Sequence, residues 1–247
     1  MTKPDLNKLL TIYGRKPVLE ALQDSSLQLF RLHLADSNKT ADIMREIMQL
    51  ANTRKVDVQT HNKLALSRIS KNSQQDQGVA LDIYMPGFIS DTDFIKNQQN
   101  KKFQLIALDG VTNPQNLGMI IRSVCASSFT GLLLPNKGCA KLDALVIKAS
   151  AGTLFNCNII RCDNLAETLT TLGQHQAEIC ILDSKGKESL FDYQTAHSTV
   201  YVLGNETSGI ADQIKKIATR KLSIPMHNGV ESLNVAVTAA LVAFSVQ

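Results

Sequence analysis

Phe103-Gln104-Leu105-Ile106-Ala107-Leu108 runs straight into Asp109-Gly110-Val111-Thr112-Asn113-Pro114-Gln115-Asn116-Leu117-Gly118, and a helix carrying Arg122 follows. An apolar run of strand length, a polar turn-forming loop and a helix together make half of a β-loop-α unit. The same alternation recurs downstream, with buried-strand signals at 131–134, 158–160, 178–182, 199–203 and 221–224. Strands apolar throughout their length and separated by helices predict a largely parallel sheet with helices on both faces. The fold class expected is therefore α/β.

Upstream, residues 1–85 read as a second, smaller α/β unit. A short helix is expected over Lys16–Leu22, a strand over Leu29–Leu34, and a helix through Ile43, Ile47 and Leu50 capped by Ser37 or Thr40. Strands are expected over Val56–Gln59 and Val79–Tyr84, with Lys71–Gln77 a polar loop. Pro86-Gly87 interrupts the pattern, and the polar residues through Lys102 read as a linker over 86–102, leaving 103–247 as the second domain.

Charge divides unevenly between these parts. Residues 1–102 hold 15 Lys and Arg against 11 Asp and Glu, whereas residues 103–247 hold 11 of each, so the net +4 belongs to the first part. A polyanionic partner is expected there, although four charges on a hundred residues also suit an ordinary solvated surface. The five cysteines form no C-x-x-C pair, which disfavours a disulfide framework or zinc knuckle and fits a reducing, cytoplasmic compartment. No secretory signal is evident in the first thirty residues. The apolar stretch Val235–Val246 is too short to span a bilayer and reads as a buried helix. The five histidines show no metal spacing, and neither a metal nor a membrane is expected.

In parallel α/β sheets, ligands bind beyond the carboxyl ends of the strands. Three loops there are unusual. The first, 109–118, opens a helix whose free N–H groups favour an anion, though a capped helix with an outward arginine would explain it equally. The second, Gly204-Asn205-Glu206-Thr207-Ser208-Gly209, is neither G-x-G-x-x-G nor a P-loop, which disfavours a generic dinucleotide or triphosphate enzyme. The third, Ile224-Pro225-Met226-His227-Asn228-Gly229-Val230-Glu231-Ser232-Leu233-Asn234, enters the apolar helix. Capping accounts for one of its polar residues but not for the whole loop. His227 is expected at the surface, and Asp109 is left unassigned, with a capping role in the first loop open to it.

Taken together the loops resemble the signature motifs of the SpoU family, in the SPOUT class of RNA methyltransferases. The matching stretches are Asn116–Ser123, Leu203–Gly209, Ile224–Met226 and Ser232–Val237, and Tyr13–Leu22 resembles the opening of the substrate-binding domain found in many members. Gln115, Met119 and Ser128 depart from residues common in the family, and none of these departures removes a polar site residue.

The resemblance implies a deep trefoil knot, a homodimer with the active site completed near the subunit interface, and transfer of a methyl group from S-adenosylmethionine to an RNA ribose 2′-oxygen. It places the cofactor against Leu203, Gly204, Ile224, Pro225, Met226 and Leu233. It assigns the chemistry to Asn116, Arg122, Glu206, Ser232 and Asn234. A guanidinium stays protonated, so Arg122 is expected to bind the adjacent phosphate and stabilise the developing alkoxide. Asn116 is expected to orient Arg122 or the ribose, and Glu206 to hold its loop by accepting backbone N–H bonds. Ser232 and Asn234 are expected to hydrogen-bond the ribose, the phosphate or Arg122. Ribosomal RNA is the favoured substrate over transfer RNA, with guanosine the expected nucleotide. A catalytically silent RNA-binding relative is disfavoured because the five polar residues are intact.

Overall fold

The computed structural model describes residues 8–38, 41–98 and 101–245, which fall into two compact units, Met1–Pro86 and Gly87–Gln247. In the first unit the order is β1 (Leu9–Tyr13), α1 (Arg15–Gln23), β2 (Gln28–Ala35), α2 (Asp42–Thr53), β3 (Asp57–His61), α3 (Lys63–Ser70) and β4 (Val79–Tyr84). The sheet runs β1-β4-β2-β3, antiparallel except where β2 pairs with β3. Ile12, Val18, Leu22, Leu32, Ile47, Leu66, Leu81 and Ile83 are buried in this unit.

Two polar devices brace this small core. The Arg54 guanidinium donates to the carbonyls of Ala21, Leu22, Asp24 and Leu27, satisfying the acceptors that α1 leaves open at its end. A chain of side chains also crosses the sheet. Thr11 Oγ1 donates to Asp82 Oδ1 (2.6 Å), Asp82 Oδ2 meets His33 Nε2 (2.9 Å), and His33 Nδ1 meets His61 Nε2 (2.9 Å). The helix through Ile43 is α2, but Ala41 precedes it without a side-chain cap, so Ser37 is not its cap. Thr40 lies outside the described residues, as does Val246 at the end of the apolar stretch.

The second unit contains β5 (Phe88–Ser90), α4 (Asp91–Asn97), β6 (Gln104–Asp109), α5 (Pro114–Cys125), β7 (Gly131–Pro135), α6 (Ala144–Ala149), β8 (Ile159–Cys162), α7 (Leu165–Gln174), β9 (Glu178–Leu182), β10 (Glu188–Ser189), β11 (Thr199–Gly204), α8 (Asp212–Ile217), β12 (Arg220–Ser223) and α9 (Val235–Ser245). All strand pairs in the order β10-β12-β9-β11-β6-β7-β8-β5 are parallel, as the apolar runs predict. The expected linker over 86–102 is corrected. Phe88–Ser90 hydrogen-bonds to β8 as an edge strand, and Phe94 of α4 packs into the core beside Phe103. The polar residues around Phe94 hid a short helix with one buried face.

Side chains of a strand alternate between faces. Leu105, Ala107, Ile179, Ile181, Val200 and Val202 share a core with Leu169 of α7 and Ile214 of α8. α5 and α9 pack together and against β7 and β11. Leaving β12 beyond β9, the chain must therefore come back past the carboxyl ends of β9 and β11 to reach α5. That return brings residues 224–234 over the site. Among the described residues no helix is long and apolar enough to cross a membrane.

Candidate active site

α5 is started firmly. Asn113 accepts from the N–H groups of Gln115 (2.8 Å) and Asn116 (3.2 Å), and Pro114 sits at the first helical position, where its missing N–H costs nothing. Gly118, one turn in, allows α6 to approach closely. A Cβ there would lie 2.4 Å from Ala149 Cβ and 2.8 Å from the Val146 carbonyl oxygen. These features fix Asn116, which is only 6% exposed, at the mouth of the β6–α5 loop.

The loop after β11 folds back on itself. Asn205 and Gly209 form an antiparallel bridge, and Asn205 Oδ1 accepts from the N–H groups of Thr207 and Ser208. Asn205 Nδ2 donates to the Gly110 carbonyl (2.7 Å), while Asp109 Oδ2 accepts from Ala211 N (2.7 Å). Gly204 is demanded by this closure, since a Cβ would fall 2.4 Å from the carbonyl carbon of Gly209.

Glu206 projects from that loop and gathers two carboxamides. Asn116 Nδ2 donates to Glu206 Oε1 at 2.6 Å, and Asn234 Nδ2 donates to the same oxygen at 2.9 Å. Asn234 Nδ2 also donates to Asn116 Oδ1 at 3.2 Å, and Asn234 Oδ1 caps α9 by accepting from Ala236 N at 2.8 Å. The carboxylate can only accept, so both amide orientations follow from the network. Three segments are thus clasped by one carboxylate.

Beside the clasp lies a cavity of about 640 Å³ over the carboxyl ends of β9, β11 and β12. Ile181, Leu203, Gly204, Ile224, Met226 and Leu233 line it, with Glu206, Ser232 and Asn234 among its polar groups. Five of the six residues assigned to the cofactor therefore face one cavity. Pro225 does not. It is exposed, and only its neighbours Ile224 and Met226 reach the wall.

One further expectation is corrected, and one of the two alternatives for Asn116 falls. The Glu206 partners are carboxamides, not backbone N–H groups; Asn205 holds the loop by that means instead. Asn116 is bonded to Glu206 and Asn234, not to Arg122, which is exposed, lies outside the cavity lining and forms no ion pair among the described residues. Six residues along a helix is about 600° of rotation at 100° per residue, so Asn116 and Arg122 point to different sides.

Residues 104–244 match the model of the SpoU rRNA methylase family. The chain belongs to this family. Residues 11–88 match the model of the RNA 2′-O-ribose methyltransferase substrate-binding domain. A Staphylococcus saprophyticus protein assigned to the TrmH family of tRNA/rRNA methyltransferases is 30% identical over 96% of this chain and 94% of its own length. An uncharacterised tRNA/rRNA methyltransferase of Mycolicibacterium gilvum is 28% identical over 94% of this chain and 74% of its own.

Among solved structures, the SpoU methyltransferase AviRb of Streptomyces viridochromogenes in complex with AdoMet superposes with a TM-score of 0.63 at 22% identity, covering 96% of this chain and 89% of that one. An AdoMet-bound rRNA methyltransferase of Sinorhizobium meliloti gives 0.64 at 20% identity over 96% and 86%. At such identity the likeness is one of fold. This SpoU methylase is an RNA 2′-O-ribose methyltransferase that uses S-adenosylmethionine.

The cavity fits that donor. Its volume falls within the range of small-molecule sites, roughly 300–1,000 Å³. Its apolar wall suits an adenine ring. Asp183, Glu206 and Glu231, set against Lys215 as the one lysine of the lining, suit a molecule with cationic sulfonium and ammonium groups.

Proposed function

We propose that this chain methylates ribosomal RNA, at a nucleotide presented from a structured loop, and that it acts as a homodimer in the cytoplasm. The observation carrying the site assignment is the clasp of Asn116, Glu206 and Asn234, the last two of which line the cavity. The substrate preference rests on the N-terminal unit, whose family model is a substrate-binding domain and which, with 12 Lys and Arg against 9 Asp and Glu, carries +3 of the net +4. The base contributes nothing to the reacting atom, so guanosine enters on the family resemblance alone.

When bound, S-adenosylmethionine supplies an activated methyl group. The chain's own task is to hold a ribose 2′-hydroxyl in line and to make its oxygen more nucleophilic. Ser232 is assigned to the ribose and its phosphate. Both amide hydrogens of Asn234 are taken by Glu206 and Asn116, so Asn234 is assigned to holding the segment that carries Ser232. Asn116 and Glu206 position Asn234 so that its carboxamide cannot flip. Arg122 is assigned to the adjacent phosphate, where its fixed positive charge favours the developing alkoxide.

Arg122 stands apart from its own cavity, and this supports delivery to the site of the other protomer. A second groove, of about 840 Å³, supports the dimer. Phe191, Val237 and Phe244 line it and are each about half exposed. At its floor the buried Tyr201 hydroxyl has no partner among the described residues. An apolar rim around an orphaned donor is what a subunit contact would cover.

Methyl transfer from labelled S-adenosylmethionine to unmodified ribosomal and transfer RNA tests the substrate, followed by mapping of 2′-O-methyl sites in ribosomal RNA from a deletion strain. Ribosomal RNA unchanged at every site would refute the preference. Mixing Arg122→Ala subunits with Asn234→Ala subunits tests the shared site: activity returns only if each protomer completes the other.

A further inference from the structure

The carboxyl edge of the parallel sheet is longer than the cofactor needs. The cavity occupies the ends of β9, β11 and β12, and α5 rises from the end of β6. Beyond α5 the same edge continues over β7 and β8, where residues 136–143 connect β7 to α6. This loop is docked beside the first motif: Ala140 N donates to the Val111 carbonyl at 2.8 Å, and α6, into which it leads, packs on α5 at Gly118. Whatever lies over it is a neighbour of the helix that carries Asn116 and Arg122.

The loop and the end of β8 are cationic in a built way. Arg161 is partly buried, and its Nε donates to Asn136 Oδ1 at 2.8 Å, while Asn136 Nδ2 donates to Asp163 Oδ1 at 2.7 Å. Asn136 is thus a strut that fixes the guanidinium by one nitrogen, and among the described residues the two terminal nitrogens make no hydrogen bond. Burial lowers the pKa of this guanidinium, an effect partly countered by Cys162, Cys139 and Asp163, but arginine stays protonated. Asp163, joined to it through the Asn136 amide, compensates part of this charge, and the two terminal nitrogens stay open to an anion.

Lys137 and Lys141 are exposed on the same loop, and neither forms an ion pair among the described residues. The nearby acids are engaged elsewhere. Asp143 caps α6 by accepting from the N–H groups of Leu145 and Val146, Asp109 accepts from Ala211 N, and Asp163 takes the Asn136 amide.

We propose that Arg161, Lys137 and Lys141 form a phosphate-binding edge over β7 and β8 that carries the RNA backbone flanking the target nucleotide. A fork-shaped donor held at one nitrogen matches a phosphate, and two lysines alongside it suit the neighbouring phosphates of a single strand. The methyl donor lies on one side of α5, so the strand approaches from the other. This inference rests on RNA being the substrate. It adds a contact surface within the methyltransferase unit, independent of the substrate-binding unit.

The test uses the full chain and a fluorescein-labelled stem-loop RNA, with affinity measured by anisotropy across a salt series. Each phosphate contact removed should lower the slope of log K against log salt by roughly 0.7–0.9, so Lys137→Gln/Lys141→Gln should lower it by roughly 1.4–1.8. Arg161→Gln should raise the KM for RNA several-fold with kcat unchanged. S-adenosylmethionine affinity should stay at the wild-type value in all variants. The exposed lysine pair keeps the test valid if Arg161→Gln disturbs the loop. A wild-type salt slope and KM in the folded variants would overturn the edge alone. Absence of methyl transfer to any RNA by the wild-type chain would overturn the RNA reading instead, while the salt slope would still decide the edge.

Discussion

Asn116→Ala removes the buried arm of the clasp and tests whether the site is held as described. The bond from Asn116 Nδ2 goes to a charged acceptor, a class worth about 1.5–3 kcal/mol, and the one from Asn234 is a neutral bond of about 0.5–1.5 kcal/mol. Glu206 and Asn234 are exposed, so water replaces part of what they lose, and the lower halves of those ranges apply. A destabilisation of about 2 kcal/mol results, or a Tm lower by roughly 4–8 °C for a chain of this size. Glu206→Ala leaves the buried amide unsatisfied and should cost about 1.5 kcal/mol. The double variant should cost about 1 kcal/mol less than the sum, because the two residues share a bond. The chain has no tryptophan, so far-UV circular dichroism is the suitable probe of urea and thermal unfolding. Asn116→Asp sharpens the test. It keeps the shape but sets a carboxylate against Glu206, so it should be worse than alanine at neutral pH and recover in acid as one group takes a proton. Strict additivity, or an Asn116→Asp variant indifferent to pH, would refute the clasp.

Other outcomes follow from single features. Gly204→Ala forces the backbone of residues 209–210 away from contacts of 2.4–2.6 Å and should weaken S-adenosylmethionine binding at least tenfold by calorimetry, about 1.4 kcal/mol; near-wild-type affinity would show that the loop tolerates the shift. Arg122→Ala should abolish methyl transfer and leave cofactor affinity intact, since Arg122 lies outside the cavity lining, and loss of cofactor binding with folding preserved would contradict its role. Glu178 is subject to burial, which raises its pKa, but hydrogen bonds from Thr195, Tyr193 and Arg220 with the Arg220 charge bring it below the ordinary 4.5. Its stabilisation is therefore complete above about pH 4.5 and lost as pH falls through the lower folded value, so Glu178→Gln should flatten the acid limb of the stability curve below that point. Arg54→Ala frees four carbonyls around the end of α1 and should destabilise the N-terminal unit by roughly 2–3 kcal/mol, read as earlier loss of amide-exchange protection in α1.

What the sequence discloses depends on the range of each interaction. The strands 104–109, 131–135, 178–182 and 199–204 are legible because both of their faces are buried, which leaves an unbroken apolar run. β5 and β10 hold three residues and two, and they form at the two ends of the sheet order, so their pattern is too short to register. α4 is lost among polar neighbours because Phe94 is its only buried residue. In the site, the three loops announce themselves through residue type. Their partners do not, because Glu206 is 90 residues from Asn116 and 28 from Asn234. Asn205 carries no separate signal, although an asparagine after glycine in a tight loop is the type that accepts its own backbone N–H groups. The Thr11–Asp82–His33–His61 chain is hidden for the same reason, since only strand register brings those positions together.

The clasp also sets an order of events in time. Its members lie 118 positions apart at the extremes, and the latest of them, Asn234, follows β12. A chain emerging from the ribosome can complete every strand of the sheet while Glu206 still lacks one of its two amides and the cavity lacks its third wall. On the proposed assignment the site is therefore incomplete through most of the chain's synthesis, and the returning segment is the last part to close it.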